Sequence, residues 1–214
     1  MNLNLRQPFN GISHLIGAIL SVAGLVWLVS DPESRTDAYH LVSVVLFGAS
    51  LVSLYLSSSL YHLLSASMST NVLLRKLDHI MIYILIAGSY TPICLVTLKD
   101  SVGPSLLAVI WLIALAGAIK DLFWIDAPRW VSSSIYVGMG WLCLIAFPQM
   151  IDALPGMAIF LLLLEGAVYT LGAVVYTIRW PNPFPMVFGF HGIWHIFVLG
   201  GSALHFAVVK GFVL

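Results

Sequence analysis

Long apolar runs separated by short polar stretches dominate the pattern of the chain. Each of seven runs is close to the ~20 residues that a helix needs to cross ~30 Å of hydrocarbon. The runs lie at about 11–30, 41–65, 73–98, 104–120, 130–150, 154–178 and 184–209. The pattern therefore predicts an all-α integral membrane protein, in which residues 1–214 form one domain of seven transmembrane helices.

The stretches between the runs are rich in Asp, Ser, Gly and Pro, as in DPESRTD at 31–37 and RWPNPFP at 179–185. None of them is long enough to hold a soluble domain. The first run lacks an A-x-A cleavage site, which favours a retained helix over a cleaved signal peptide.

Composition agrees with a membrane location, since 60% of the residues are hydrophobic and 8% are charged. The formal net charge is +0 and the basic residues are scattered, so nothing favours a nucleic-acid partner. The expected partners are membrane lipids, and the pattern does not indicate an oligomeric state. Cys94 and Cys143 lie within apolar runs and are expected to be buried free thiols.

Basic residues are distributed unevenly between the two ends of the predicted bundle. Six lie at the end that holds the N-terminus, and three at the other: Arg6, Arg75, Lys76, Lys120, Arg129 and Arg179, against Arg35, Lys99 and Lys210. Because basic loops favour the cytoplasmic side, we expect a cytoplasmic N-terminus and an external C-terminus.

The seventh run, which contains HGIWHIFVLGGSALHF, carries candidate metal ligands. His191 and His195 are four residues apart and therefore project from one face of a helix. His62 lies near the end of the second run, and Asp78 about one turn into the third, so all four fall in the cytoplasmic half of the predicted bundle. Three histidines and an open fourth position are typical of a catalytic zinc site.

Other uses of these polar residues remain open. Asp78 could be a counter-charge to Arg75 or Lys76, and Glu165 needs a partner or a proton. His205 lies ~15 Å along the helix from His195 and is more easily explained by a hydrogen bond to another helix. Haem ligation would require a second pair of spaced histidines, which the chain lacks.

Four motifs resemble those of the bacterial hemolysin III proteins, members of the progestin and adipoQ receptor family that are similar to alkaline ceramidases. They are NGISHLIGA at 10–18, SSLYH at 58–62, LRKLDHIMIYILIAGSYTP at 74–92 and HGIWHIFVLGGSALHF at 191–206. The resemblance implies a zinc ion near the inner leaflet, held by His62, His191 and His195. It further implies that Asp78 and Ser58 contact the zinc-bound water.

The leading functional hypothesis is a zinc-dependent hydrolase of a lipid amide or ester in the bacterial inner membrane, with Asp78 as proton acceptor and Ser58 as a hydrogen-bond donor. The alternatives are a membrane-lipid sensor with structural zinc and, last, a pore-forming haemolysin. One departure concerns Gln7, which stands near the place where family members commonly carry an acidic residue. Asn10 and His14 match the first motif, and His14 could have a functional role or could cap or pack the start of the helix.

Overall fold

A computed structural model describes residues 6–214. Seven helices long and apolar enough to cross a membrane account for most of the chain. They are α1 Pro8–Ser30, α2 Ala38–Leu63, α3 Met68–Thr97, α4 Gly103–Phe123, α5 Arg129–Ala153, α6 Gly156–Ile178 and α7 Phe190–Val213. The described residues contain no β-strand beyond an isolated bridge between Phe184 and Phe188. The predicted class, an all-α protein of seven transmembrane helices, is confirmed.

Two helices contain an irregular turn next to a proline. In α3, Pro92 is followed by a π-helical turn over Ile93–Thr97, and in α5 a 3₁₀ turn over Leu142–Ala146 precedes Pro148. Proline has no N–H to donate to the preceding turn, so the regular hydrogen-bond ladder is interrupted there.

The start of the seventh helix differs from the prediction of residue 184. Residues 181–189 are irregular and α7 begins at Phe190. The preceding apolar residues Phe184, Met186 and Val187 add to the hydropathy of the run, but they lie in a turn closed by backbone hydrogen bonds between Phe184 and Phe188. His191 therefore lies in the first turn of α7, at the same end of the bundle as the end of α2.

Small residues allow close packing between α6 and α7. Gly201 faces the ring of Tyr169, and a Cβ added there would lie 2.5 Å from Tyr169 Cζ. At the neighbouring Gly200 the nearest atom to an added Cβ is Val168 Cγ1, at an ordinary 3.7 Å. The two adjacent glycines thus differ sharply in the space available to a side chain.

We expect Gly201→Val to lower the unfolding temperature of the detergent-solubilised protein, because the added methyl groups overpack the α6–α7 contact at a cost of about 1–3 kcal/mol. Gly200→Val adds the same β-branched side chain one residue away and should leave the melting temperature nearly unchanged. Equal melting temperatures for the two variants would contradict the described packing.

An ion pair and a helix cap stabilise the end of the bundle opposite the N-terminus. Lys210 Nζ donates to Asp31 Oδ2 at 2.5 Å, which links α7 to the loop after α1. This hydrogen bond, aided by the backbone N–H of Glu33, holds the pKa of the Asp31 carboxyl below its usual range. Asp37 caps α2 by accepting from the backbone N–H of His40.

Candidate metal centre

The fold brings three imidazole rings together at the N-terminal end of the bundle. His62 lies in the last turn of α2, and His191 and His195 lie in the first two turns of α7. The ring centroids form a nearly equilateral triangle with sides of 4.8–4.9 Å. One possible ligand atom from each residue lies within 4.8 Å of the other two. The predicted proximity of the three histidines is therefore confirmed.

Hydrogen bonds from the N-terminal segment fix the orientation of two of these rings. His62 Nδ1 lies 2.5 Å from Oε1 of Gln7, and His195 Nδ1 lies 3.1 Å from the backbone carbonyl oxygen of Asn10. Since both oxygens are acceptors, each Nδ1 carries the proton and donates it. The Nε2 lone pair of each ring then remains free for a metal, as is usual for metal-binding histidines whose other nitrogen is hydrogen-bonded.

The spacing of the nitrogens fits a metal ion. His191 Nε2 and His62 Nε2 lie 3.3 Å apart. Two ligands at ~2.0–2.1 Å from a tetrahedral ion are separated by ~3.3–3.4 Å. Two neutral imidazole nitrogens held at this distance are therefore arranged as two corners of such a site.

Two polar groups named by the sequence motifs lie beside the triad. Asp78 is 8% exposed and Ser58 is 1% exposed. The Ser58 hydroxyl lies near the Asp78 carboxyl. Arg75 and Lys76 instead contact Asp126 Oδ1 and the carbonyl oxygen of Leu122, at 2.8 and 2.6 Å. Asp78 therefore faces the bundle interior rather than pairing with either neighbouring cation.

A polar cavity of about 460 Å³ contains the candidate site. The three histidines, Asp78 and Ser58 all contribute to its lining. A second, apolar cavity of about 130 Å³ lies deeper between the helices. Five side chains belong to the walls of both cavities: Leu54, Ile82, Tyr136, Trp194 and Val198. A polar compartment and an apolar one are thus direct neighbours.

Other polar residues lie apart from the triad or only border it. His205 Nδ1 lies 2.9 Å from Glu165 Oε2, so these two buried groups partner each other across α6 and α7. His14 stacks on His195 with ring centroids 3.6 Å apart. Cys94 and Cys143 are free thiols, the first buried and the second partly exposed.

The roles of Gln7 and Asn10 in orienting the histidines were missed by sequence reasoning. Asn10 acts through its backbone carbonyl, which every residue type provides, so no side-chain signal could have indicated it. Gln7 stood out only as a departure from the acidic residue common in the motif.

The fold and the candidate site together define a class: a seven-helix integral membrane protein with a three-histidine cluster at one end of the bundle. Comparison with known sequences then shows the family. The chain belongs to the haemolysin-III related family, whose sequence model matches residues 3–206. The membership predicted from the four motifs is therefore confirmed.

Individual relatives agree with this placement. The chain is 40% identical to the "Hemolysin-3 homolog" of Bacillus subtilis over 201 residues, which is 94% of this chain and 91% of the relative. It is 26% identical to the human "Monocyte to macrophage differentiation factor" over 97% of this chain and 90% of that protein. It is also 26% identical to the "Adiponectin receptor protein" of Drosophila melanogaster over 91% of this chain and 48% of that protein.

Proposed function

We propose that His62, His191 and His195 bind one zinc ion, and that the protein is a zinc-dependent hydrolase of a lipid amide or ester. One observation carries the proposal: three imidazoles, two of them oriented by hydrogen bonds, and a carboxyl group line one polar cavity, and an apolar cavity adjoins it. Imidazole nitrogens suit zinc, and three protein ligands are typical of catalytic rather than structural zinc sites.

Zinc bound by three imidazoles polarises a carbonyl and lowers the pKa of water towards ≈ 7. The residues of this chain supply the remaining functions. Asp78 accepts a proton from the attacking water and can return it to the leaving group. Ser58 lies near the Asp78 carboxyl and is a candidate donor to it and to the developing oxyanion. The apolar cavity excludes water and accommodates an acyl chain.

The proposed location is the bacterial inner membrane, with the N-terminus in the cytoplasm. The polar cavity lies at the N-terminal end of the bundle, where six of the nine basic residues occur. Under the positive-inside rule, this end faces the cytoplasm. The reaction would then take place near the inner leaflet, on lipids that enter from the bilayer.

A second candidate is a lipid sensor in which binding, not turnover, is the output. The name of the Drosophila relative, an adiponectin receptor protein, favours this alternative. Both candidates share the metal site and the lipid cavity and differ in whether a bond is cleaved.

Lipid mass spectrometry distinguishes the two candidates. We would compare extracts of cells producing the wild-type protein with extracts of cells producing Asp78→Asn at matched levels. The hydrolase proposal predicts more free fatty acid, and less of one amide or ester lipid, only in extracts of cells with the wild-type protein. Identical lipid pools would reject the hydrolase and leave the sensor.

The hydrogen bond from His62 to Gln7 predicts how tightly the metal is held. We expect Gln7→Leu to weaken zinc binding about 10–100-fold, because the loss of this partner releases the tautomer and ring orientation of His62. Gln7→Glu keeps an acceptor at the same position and should bind zinc at least as tightly as the wild type. Competition titrations with a chromogenic chelator measure both constants, and equal affinities for Gln7→Leu and wild type would contradict the described role.

A further inference from the structure

A short segment at the start of α1 lies directly beside the three histidines. We call residues 6–10 the N-terminal strap; it comprises the two residues before α1 and the first three residues of that helix. The first three residues of the strap are exposed, whereas His62 and His195, which hydrogen-bond to the strap, are only 1% and 2% exposed. The strap therefore lies between these two rings and the surface of the protein.

On one side, the strap is attached to α2 and α3. The backbone N–H of Gln7 donates to the carbonyl oxygen of His62 at 3.0 Å. The Arg6 guanidinium lies over the ring of Tyr61, donates to its hydroxyl at 3.2 Å, and donates to Asn71 Oδ1 at 3.0 Å. The side-chain hydrogen bonds of Arg6 are exposed, so they compete with water and contribute little net stability.

On the other side, Phe9 attaches the strap to the start of α7. Its ring lies edge-on to the ring of Phe188, with the centroids 4.7 Å apart. A Cβ added at Gly192 would lie 2.9 Å from Phe9 Cδ1, so the Phe9 ring also rests on the first turn of α7. The Phe9 side chain has no polar atom with which to orient a metal ligand. Its contribution is therefore to hold the strap against α7.

The strap also supplies the acceptors that orient two of the imidazole rings. Gln7 Oε1 accepts from His62 Nδ1, and the backbone carbonyl oxygen of Asn10 accepts from His195 Nδ1. The side-chain amide of Asn10 donates to the same Gln7 oxygen at 3.2 Å, which links the two acceptors to each other. Displacement of the strap therefore removes both acceptors together, and both rings lose their fixed orientation and tautomer.

The start of α1 has the features of a segment that opens locally. Gln7 occupies the N-cap position, but its side chain makes no capping hydrogen bond, and the first turn contains no acidic residue. A helix start without a side-chain cap leaves N–H groups of its first turn without a partner from the chain and is less stable. Segments with exposed hydrogen bonds and few buried contacts have the lowest free energies of local opening.

We propose that the N-terminal strap is a gate for the metal. It opens as a unit, and its opening both exposes the site at the N-terminal end of the bundle and lowers the affinity of the histidines for the ion. Because such coupling is reciprocal, a bound ion holds the strap closed. The inference rests on the proposed zinc site and adds a control of metal uptake and release.

Rates of zinc uptake and release by the purified full-length protein test the gate, with a fluorescent chelator as the reporter in a stopped-flow instrument. Phe9→Ala removes the contact with α7 and leaves both hydrogen-bond acceptors in place. We expect both rates to rise about tenfold, as the loss of an aromatic contact from the closed state implies. A strap that is a fixed wall predicts no faster uptake. Phe123→Ala, which truncates an 87% exposed ring at the end of α4, is the matched control and should leave both rates unchanged.

A covalent lock should have the opposite effect. Arg6→Cys and Asn71→Cys replace two side chains that are hydrogen-bonded to each other, and a cleavable bis-maleimide can join them once Cys94→Ala and Cys143→Ala have removed the native thiols. We expect the cross-linked protein to take up and release zinc about tenfold or more slowly, because the open state is no longer populated. Cleavage of the linker should restore both rates. Arg6→Cys alone, treated with the same reagent, is the control.

Two results would overturn the gate: exchange rates in Phe9→Ala equal to those of the wild type, or exchange in the cross-linked protein as fast as after cleavage of the linker. The cross-linked protein decides the question if Phe9→Ala does not fold. A wild-type protein that takes up no zinc would overturn the metal site and the gate together. Failure of the hydrolase proposal alone is distinguishable, since zinc exchange would still depend on the strap while no lipid is cleaved.

Discussion

The double variant His191→Ala/His195→Ala is expected to lose bound zinc, from about one ion per chain in the wild-type protein to a trace, because His62 alone cannot hold the ion. The two side chains come from one face of α7, and their removal leaves α2 with a single nitrogen donor. Elemental mass spectrometry of the detergent-purified protein gives the zinc content. An absorbance spectrum taken on the same sample tests for haem, the other cofactor that paired histidines could bind.

The matched control is His40→Ala. His40 lies at the opposite end of the bundle, where its Nδ1 is 3.0 Å from Asp37 Oδ1. Removing it should leave the zinc content unchanged. If the double variant elutes as a folded species and still carries one zinc ion per chain, the three-histidine site is incorrect. A wild-type protein that cannot be loaded with zinc would have the same consequence.

The second large effect is expected from Asp78→Asn. Asparagine keeps the shape of the side chain and its place near Ser58, but it cannot accept a proton from water. We expect fatty-acid release from lipid substrates to fall about 10²–10⁴-fold, the usual contribution of a general base. Zinc content should stay near one per chain, because the metal ligands are untouched.

The wild-type protein and Asp78→Asn are compared by their rates of fatty-acid release. Mass spectrometry measures these rates on zinc-loaded protein with a mixed lipid extract. Asp152→Asn serves as a control, since Asp152 is an exposed carboxylate at the far end of the bundle. Release at the wild-type rate by Asp78→Asn would remove Asp78 from the mechanism. Loss of zinc from the same variant would instead make Asp78 a metal ligand and favour a closed, structural site.

Hydropathy was sufficient to predict the seven helices, because each spans the bilayer as a continuous apolar run. Hydropathy was misleading at the start of α7, where the apolar residues Phe184, Met186 and Val187 lie in a turn before the helix. The three histidines could be predicted because two share a helix face and imidazoles are rare in apolar runs. The contacts of Gln7 and Asn10 could not be predicted, since they depend on how distant segments pack.

The contact between His62 and His191 joins residues 129 positions apart in the chain. Asn10 and His195 are 185 positions apart, and the hydrogen bond between them orients the ring of His195. During synthesis at ~5–20 residues per second, the ribosome needs roughly 6–26 s to make the segment that separates the first pair. The helix that carries His62 therefore enters the membrane well before its partners exist. Loading of the proposed zinc site would consequently be a late step of biogenesis, one that must follow insertion of the seventh helix.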